Sequence, residues 1–187
     1  MAPAPEQPIF YYDLGSPGCY LVAERIMAEL PVAPEWEPVL GTQLGLVELQ
    51  PDREALRMLV EHQGLQPLRL PASWPPETEL AMLVATFAKR VGRAVAYSLA
   101  AFRQAFAGGR DLSHEATVLI AAAACEMHPT AVLKGVSTRS VSAALNTAGE
   151  RAIAAGVRSL PAIQVGGELF AGEHSLELAI GGLAARR

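Results

Sequence analysis

The sequence predicts an α/β protein: a four-stranded mixed sheet with a large all-helical insertion. Two observations carry this. Strand-like apolar segments occur only towards the two ends of the chain, at 9–14 and 36–40 and again at 162–165 and 168–170. The long stretch between them carries apolar residues at helical spacing instead. The order is therefore βαβ, a helical block, then αββα. Residues 1–40 and 130–187 group as one discontinuous sheet domain and 41–129 as an inserted helical lobe.

The elements follow in order. Residues 9–14, IFYYDL, are apolar and aromatic, with a turn signal behind them in Gly15-Ser16-Pro17-Gly18, so they read as a buried strand. A helix follows, with Leu21, Val22, Ile26 and Leu30 on one face, Ser16 as N-cap and Pro17 suited to the first helical position. WEPVL at 36–40 is a second strand, and Pro38 inside it points to a sheet edge or a bulge. If the two strands are parallel, the helix is a right-handed crossover. Residues 52–63 carry a helical stripe of Leu56, Leu59 and Val60. The four prolines within 64–76 force an irregular connection. A long helical pattern spans 78–107, divided or kinked at Gly92 and ended by Gly108-Gly109. Ser113 is the expected cap of a helix reaching about Met127, His128-Pro129-Thr130 a break, and Ser137 the start of a helix stopped at Gly156. Residues 162–165 and 168–170 form a hairpin across Gly166-Gly167, and a last helix spans 175–185.

Composition sets bounds on function. The 187 residues are 51% hydrophobic and 18% charged, enough apolar material for one buried core. A net charge of −4 with no basic run argues against nucleic acid or an anionic membrane as partner. Two cysteines, Cys19 and Cys125, exclude a disulfide-stapled scaffold and a four-cysteine zinc site. His62, His114 and His128 lie at no metal-ligand spacing, so no metal is expected. The longest apolar stretches, 94–102 and 117–125, fall far short of the roughly 20 residues that span a bilayer. MAPAPEQP shows no signal-peptide pattern, so a soluble cytoplasmic protein is expected. Lys89 and Lys134 are the only lysines, an arginine and alanine bias that suggests a high-GC bacterial source.

Two constellations could carry chemistry. Ser16-Pro17-Gly18-Cys19 lies between a strand and a helix, where unpaired N–H groups and the positive end of the helix dipole stabilise a thiolate. That thiolate is either Cys19 itself or the sulfur of a bound cofactor. The plainer reading makes Ser16 a cap and Cys19 a small core residue. The second constellation is Gly156-Val157-Arg158-Ser159-Leu160-Pro161-Ala162. Its proline, at the start of a strand, is a candidate cis peptide, because X-Pro bonds adopt cis at modest cost.

Taken together, these motifs resemble the thioredoxin-fold family of DsbA-like proteins. Within it the chain is most similar to the 2-hydroxychromene-2-carboxylate isomerases and kappa-class glutathione transferases. The resemblance runs through FYYDLGSPGCYLVAERI, EWEPVL, LPASWPPETELAMLVATFA, AFRQAFAGGRDLS and GVRSLPAIQVGGELFAGEHSLE, nearly the whole chain. It implies a thioredoxin-like fold with a helical insertion. The family's disulfide oxidoreductases carry Cys-Pro-x-Cys, whose first cysteine attacks. Here Ser16 holds that position, and a serine forms no mixed disulfide. In the isomerase and kappa-transferase branch a serine there hydrogen-bonds the sulfur of bound glutathione. The resemblance thus implies that Ser16 is catalytic, that Pro17 and the N–H groups of Gly18 and Cys19 help hold the sulfur, and that the backbone of Leu160, before Pro161, pairs with the tripeptide. It implies a small aromatic or hydrophobic electrophile as substrate and, through the kappa class, a homodimer.

Three departures from the branch pattern stand out. Gly18 and Cys19 replace an aromatic and a small residue, and Cys19 takes the place of the resolving cysteine. His174 stands where relatives place an acid that binds the amino end of glutathione, so either Glu173 substitutes or the thiol differs, with mycothiol as one alternative. Gln43, in the loop Gly41-Thr42-Gln43, replaces a polar cofactor contact. Asp13 shapes the active-site turn or holds a water, Trp74 and Tyr20 line a pocket or the core, and Cys125 reads as buried filler. Three functions are carried forward: a thiol-dependent isomerase or transferase, a redox protein using Cys19 alone, and a catalytically silent binding module.

Overall fold

The computed structural model describes residues 7–46 and 51–186. Strands β1 (Ile9–Tyr12), β2 (Glu35–Pro38), β3 (Ala162–Val165) and β4 (Glu168–Ala171) form one sheet in the order β2-β1-β3-β4. β1 pairs parallel with β2 and antiparallel with β3, and β4 closes the hairpin antiparallel to β3. The sheet is mixed, as expected, and β2 lies at its edge, where Pro38 costs no ladder hydrogen bond. Gly166 turns the hairpin at φ +59°, in the left-handed region that favours glycine.

β1 is central and buried on both faces, which explains its unbroken apolar run. Successive side chains alternate across the sheet. Phe10 and Tyr12 stack at 5.3 Å on one face, with Trp36 edge-on to both. Tyr11 enters a smaller core on the other face with Val39, Ala148, Ala152 and Val157. Helix α1 (Pro17–Glu29) links β1 to β2. After β2 come α2 (Arg53–His62), α3 (Glu79–Arg90), α4 (Ala94–Phe102) running into one π-helical stretch (Arg103–Ala107), α5 (Glu115–Ala123), α6 (Pro129–Val136) and α7 (Arg139–Ala154). Helix α8 (Ser175–Ala184) is the last described element. The main core runs without interruption from Phe10, Tyr12 and Ile26 into Met82, Tyr97, Phe102 and Phe106 of the helical block.

Helix boundaries differ from the sequence reading in three places. Gly92, at φ +72°, does divide the long 78–107 pattern, but Ser113 is not a cap. Its N–H bonds Asp111 Oδ1 at 2.8 Å in a turn, and α5 starts after His114. His128-Pro129-Thr130 is the start of α6 rather than a break. Pro129 takes the first helical position and His128 Nδ1 accepts from Thr130 N at 3.3 Å. Ser137 stays with α6, donating to Lys134 O at 2.8 Å, and Thr138 takes the N-cap position of α7, its hydroxyl donating back to Gly135 O at 2.6 Å.

Candidate active site

The site is built where β1 ends. Asp13 is buried, and its carboxylate gathers three segments. Oδ1 accepts from Gly15 N at 2.8 Å and from Thr78 Oγ1 at 2.9 Å, while Oδ2 accepts from Gly41 N at 2.8 Å. One side chain thereby joins the β1–α1 turn, the loop after β2 and the start of α3. Burial pushes its pKa up, and the hydrogen bonds from Gly41, Gly15 and Thr78 oppose that shift. Gly15 is needed for closeness. A Cβ there would stand 2.8 Å from Thr78 Cγ2 and 3.0 Å from Pro76 Cγ.

Ser16 caps α1 from an extended conformation, and its Oγ accepts from Cys19 N at 3.4 Å. That bond uses an acceptor site of the hydroxyl and leaves its proton to donate elsewhere. Pro17 is buried at the first helical position. Gly18 faces the peptide at 160–161, which is cis. A Cβ on Gly18 would lie 3.2 Å from Pro161 Cδ and 3.7 Å from Ser16 Oγ. Ser16, Gly18 and Pro161, about 145 residues apart in sequence, thus meet in one place. The Pro161 carbonyl accepts from Gly172 N at 2.8 Å, which ties the loop to the segment before α8.

A cleft of about 760 Å³ opens beside them. Asp13, Gly15 and Ser16 form one wall and Leu160 another. Gly41, Thr42 and Leu46 with Pro75, Pro76, Glu77, Thr78 and Glu79 complete it. Residues 9–180 match the DSBA-like thioredoxin domain. The chain belongs to that family. No curated protein matches it in sequence. Among solved structures, it is similar to a 2-hydroxychromene-2-carboxylate isomerase, with a TM-score of 0.81 at 18% identity over 97% of each chain. A probable DsbA oxidoreductase from Streptomyces coelicolor superposes with a TM-score of 0.75 at 16% identity, covering 96% of this chain and 88% of that one. DsbA of Pseudomonas aeruginosa gives 0.58 at 15% identity, covering 99% and 92%. At such identities the likeness shows the fold alone.

Within this DSBA-like domain the other expected site residues separate. Leu160 lines the cleft. Gln43 does not. Its Nε2 donates to Asn146 O at 2.9 Å, and its side chain packs against Gly149 of α7, so that the loop turns Thr42 to the cleft in its place. Glu173 and His174 are exposed beside α8, and neither lines the cleft. His174 precedes α8 without a side-chain capping bond. Cys19 is fully buried in the main core, so as folded it presents no sulfur to a substrate, and its N–H is directed to Ser16 rather than to a ligand. Tyr20 packs on Phe106 at 5.6 Å and is core, not pocket lining. Trp74 also packs against the core. Burial raises the pKa of Cys125. Among the described residues no group of His, Cys, Asp or Glu could hold a metal, and no helix is long and apolar enough to cross a membrane. Sequence reasoning missed Thr78 and the Glu77–Glu79 rim. The only signal was the acidic tail of the proline-rich connection, which reads as a linker until Asp13 draws it to the site.

Proposed function

We propose that the protein is a thiol-dependent isomerase or transferase of the 2-hydroxychromene-2-carboxylate isomerase type. It would act on a small aromatic or otherwise hydrophobic electrophile with a low-molecular-weight thiol such as glutathione or mycothiol. The observation that carries this reading is a hydroxyl in place of a sulfur at the start of α1, opposite Pro161 and facing the cleft. Ser16 can donate to a thiolate and the helix N-terminus can share its charge, but Ser16 has no sulfur to exchange. The burial of Cys19 weighs against thiol exchange at that residue.

In the proposed reaction the thiol gives up its proton and its sulfur adds to an electrophilic carbon, forming a C–S bond. For isomerisation a bond in the adduct rotates, the same C–S bond breaks, and the thiolate leaves with its electron pair. For transfer the C–S bond persists, and the neighbouring atom that received the displaced π electron pair takes up a proton from solvent. Thermal unfolding with each reduced thiol tests the reading. A ligand at 100 times its Kd stabilises by about 2.7 kcal/mol, a shift of several degrees. The expected outcome is a shift with at least one thiol that disappears in Ser16→Ala. Full activity on an aromatic electrophile in Ser16→Ala would overturn the role of Ser16.

A further inference from the structure

The charge of the cleft narrows the choice of thiol, an inference that rests on the thiol-dependent reading above. The charged side chains lining it are Asp13, Glu77 and Glu79. Among the described residues that line it, none is Lys, Arg or His. Glu79 sits in the first turn of α3, where the helix dipole partly offsets its charge. Glu77 lies just before that helix, outside its first turn. The nearest polar groups on the loop after β2 are Thr42 and the backbone of Gly41, and the Gly41 N–H is already held by Asp13. A ligand carboxylate entering this cleft gives up water and meets like charge, with no cation among the described lining residues to pair with.

We propose that the cleft selects a thiol without net negative charge and discriminates against glutathione. At neutral pH glutathione carries two carboxylates and one ammonium group. An uncharged or cationic thiol would keep the hydrogen bond from Ser16 and the contact with Leu160 without that repulsion.

Glutathione and its diethyl ester share a backbone and a sulfur and differ in the two carboxylates, so they are the probes. Isothermal calorimetry on the full chain is expected to show the ester binding at least about tenfold more tightly, equivalent to about 1.4 kcal/mol. Salt should narrow the gap, since the Debye length falls from about 10 Å at 0.1 M to about 3 Å at 1 M. In the Glu77→Gln, Glu79→Gln double variant the ratio should fall to about threefold or less, through tighter binding of glutathione. Glutathione binding as tightly as the ester would overturn the charge selection and leave the thiol-dependent reading intact. An ester preference unchanged in the double variant would assign it to the ethyl groups and also overturn the proposal. Binding of neither probe by folded protein would overturn this inference, and the absence of a thermal shift with mycothiol as well would overturn the thiol-dependent reading.

Discussion

Two helices begin beside Pro161, and their N-termini are built in opposite ways. Helix α1 starts at a turn that Asp13 anchors, with Ser16 as a bonded cap and Pro17 buried behind it. Helix α8 starts three residues after Gly172, which holds the Pro161 carbonyl, but His174 at its head makes no side-chain capping bond. Ser175, just inside α8, is fully buried, and its Oγ has no partner among the described residues. α8 is held from outside instead, by Glu177 on Arg25 of α1 at 2.7 Å and by packing on β3 and β4. Both termini carry the same partial positive charge. Only α1 combines it with a cleft, a positioned hydroxyl and a glycine that lets Pro161 approach. A helix start alone is not a site; the surrounding scaffold makes one.

Several substitutions can break or sharpen this contrast. The largest effect is expected from Asp13→Ala, which strands the N–H groups of Gly15 and Gly41 and the Thr78 hydroxyl. Each buried donor left unpaired costs about 1–3 kcal/mol, so denaturant unfolding should show a loss of about 3 kcal/mol or more. An unaffected midpoint would show that the turn is not anchored there. The Asn variant adds a pH arm. Because burial raises the pKa of Asp13, the folded state holds its proton to higher pH than the unfolded state. The contribution of Asp13 to stability is therefore greatest below its unfolded pKa of about 4 and declines as pH rises through the folded value. Asp13→Asn should remove that decline.

Gly15→Ala comes next, at about 1–3 kcal/mol, because its methyl must displace Thr78 and Pro76. Ser16→Ala should cost about 1 kcal/mol through loss of the cap, with the thiol-induced thermal shift lost as well. Ser175→Ala, the matching change on α8, should alter stability by less than about 0.5 kcal/mol or raise it slightly, since its hydroxyl is buried without a partner among the described residues. A Ser175 variant that lost as much as the Ser16 variant would erase the distinction between the two termini.

The sequence by itself determined the sheet and its order of elements. Its apolar strands lie at the chain ends, Gly92 interrupts a helical pattern, and Gly166-Gly167 dictates a hairpin, all through local periodicity and backbone preference. Local signals also marked Ser16 and Pro161, because a cap before a proline and a proline before a strand are both short-range patterns. Helix starts at 113–138 were harder to read. A Ser, a Thr and a His-Pro pair all offer capping chemistry there, and only the neighbouring hydrogen bonds choose among them. Tertiary structure alone decided which polar groups reach the cleft. Gln43 and Thr42 are adjacent in sequence, yet one is bound to α7 and the other faces the site. Asp13 joins residues 28 and 65 positions away, and Cys19, one turn along from Ser16, points into the core. Side-chain direction at a loop or helix start depends on which distant surface packs against it. Residue spacing along the chain does not encode that choice.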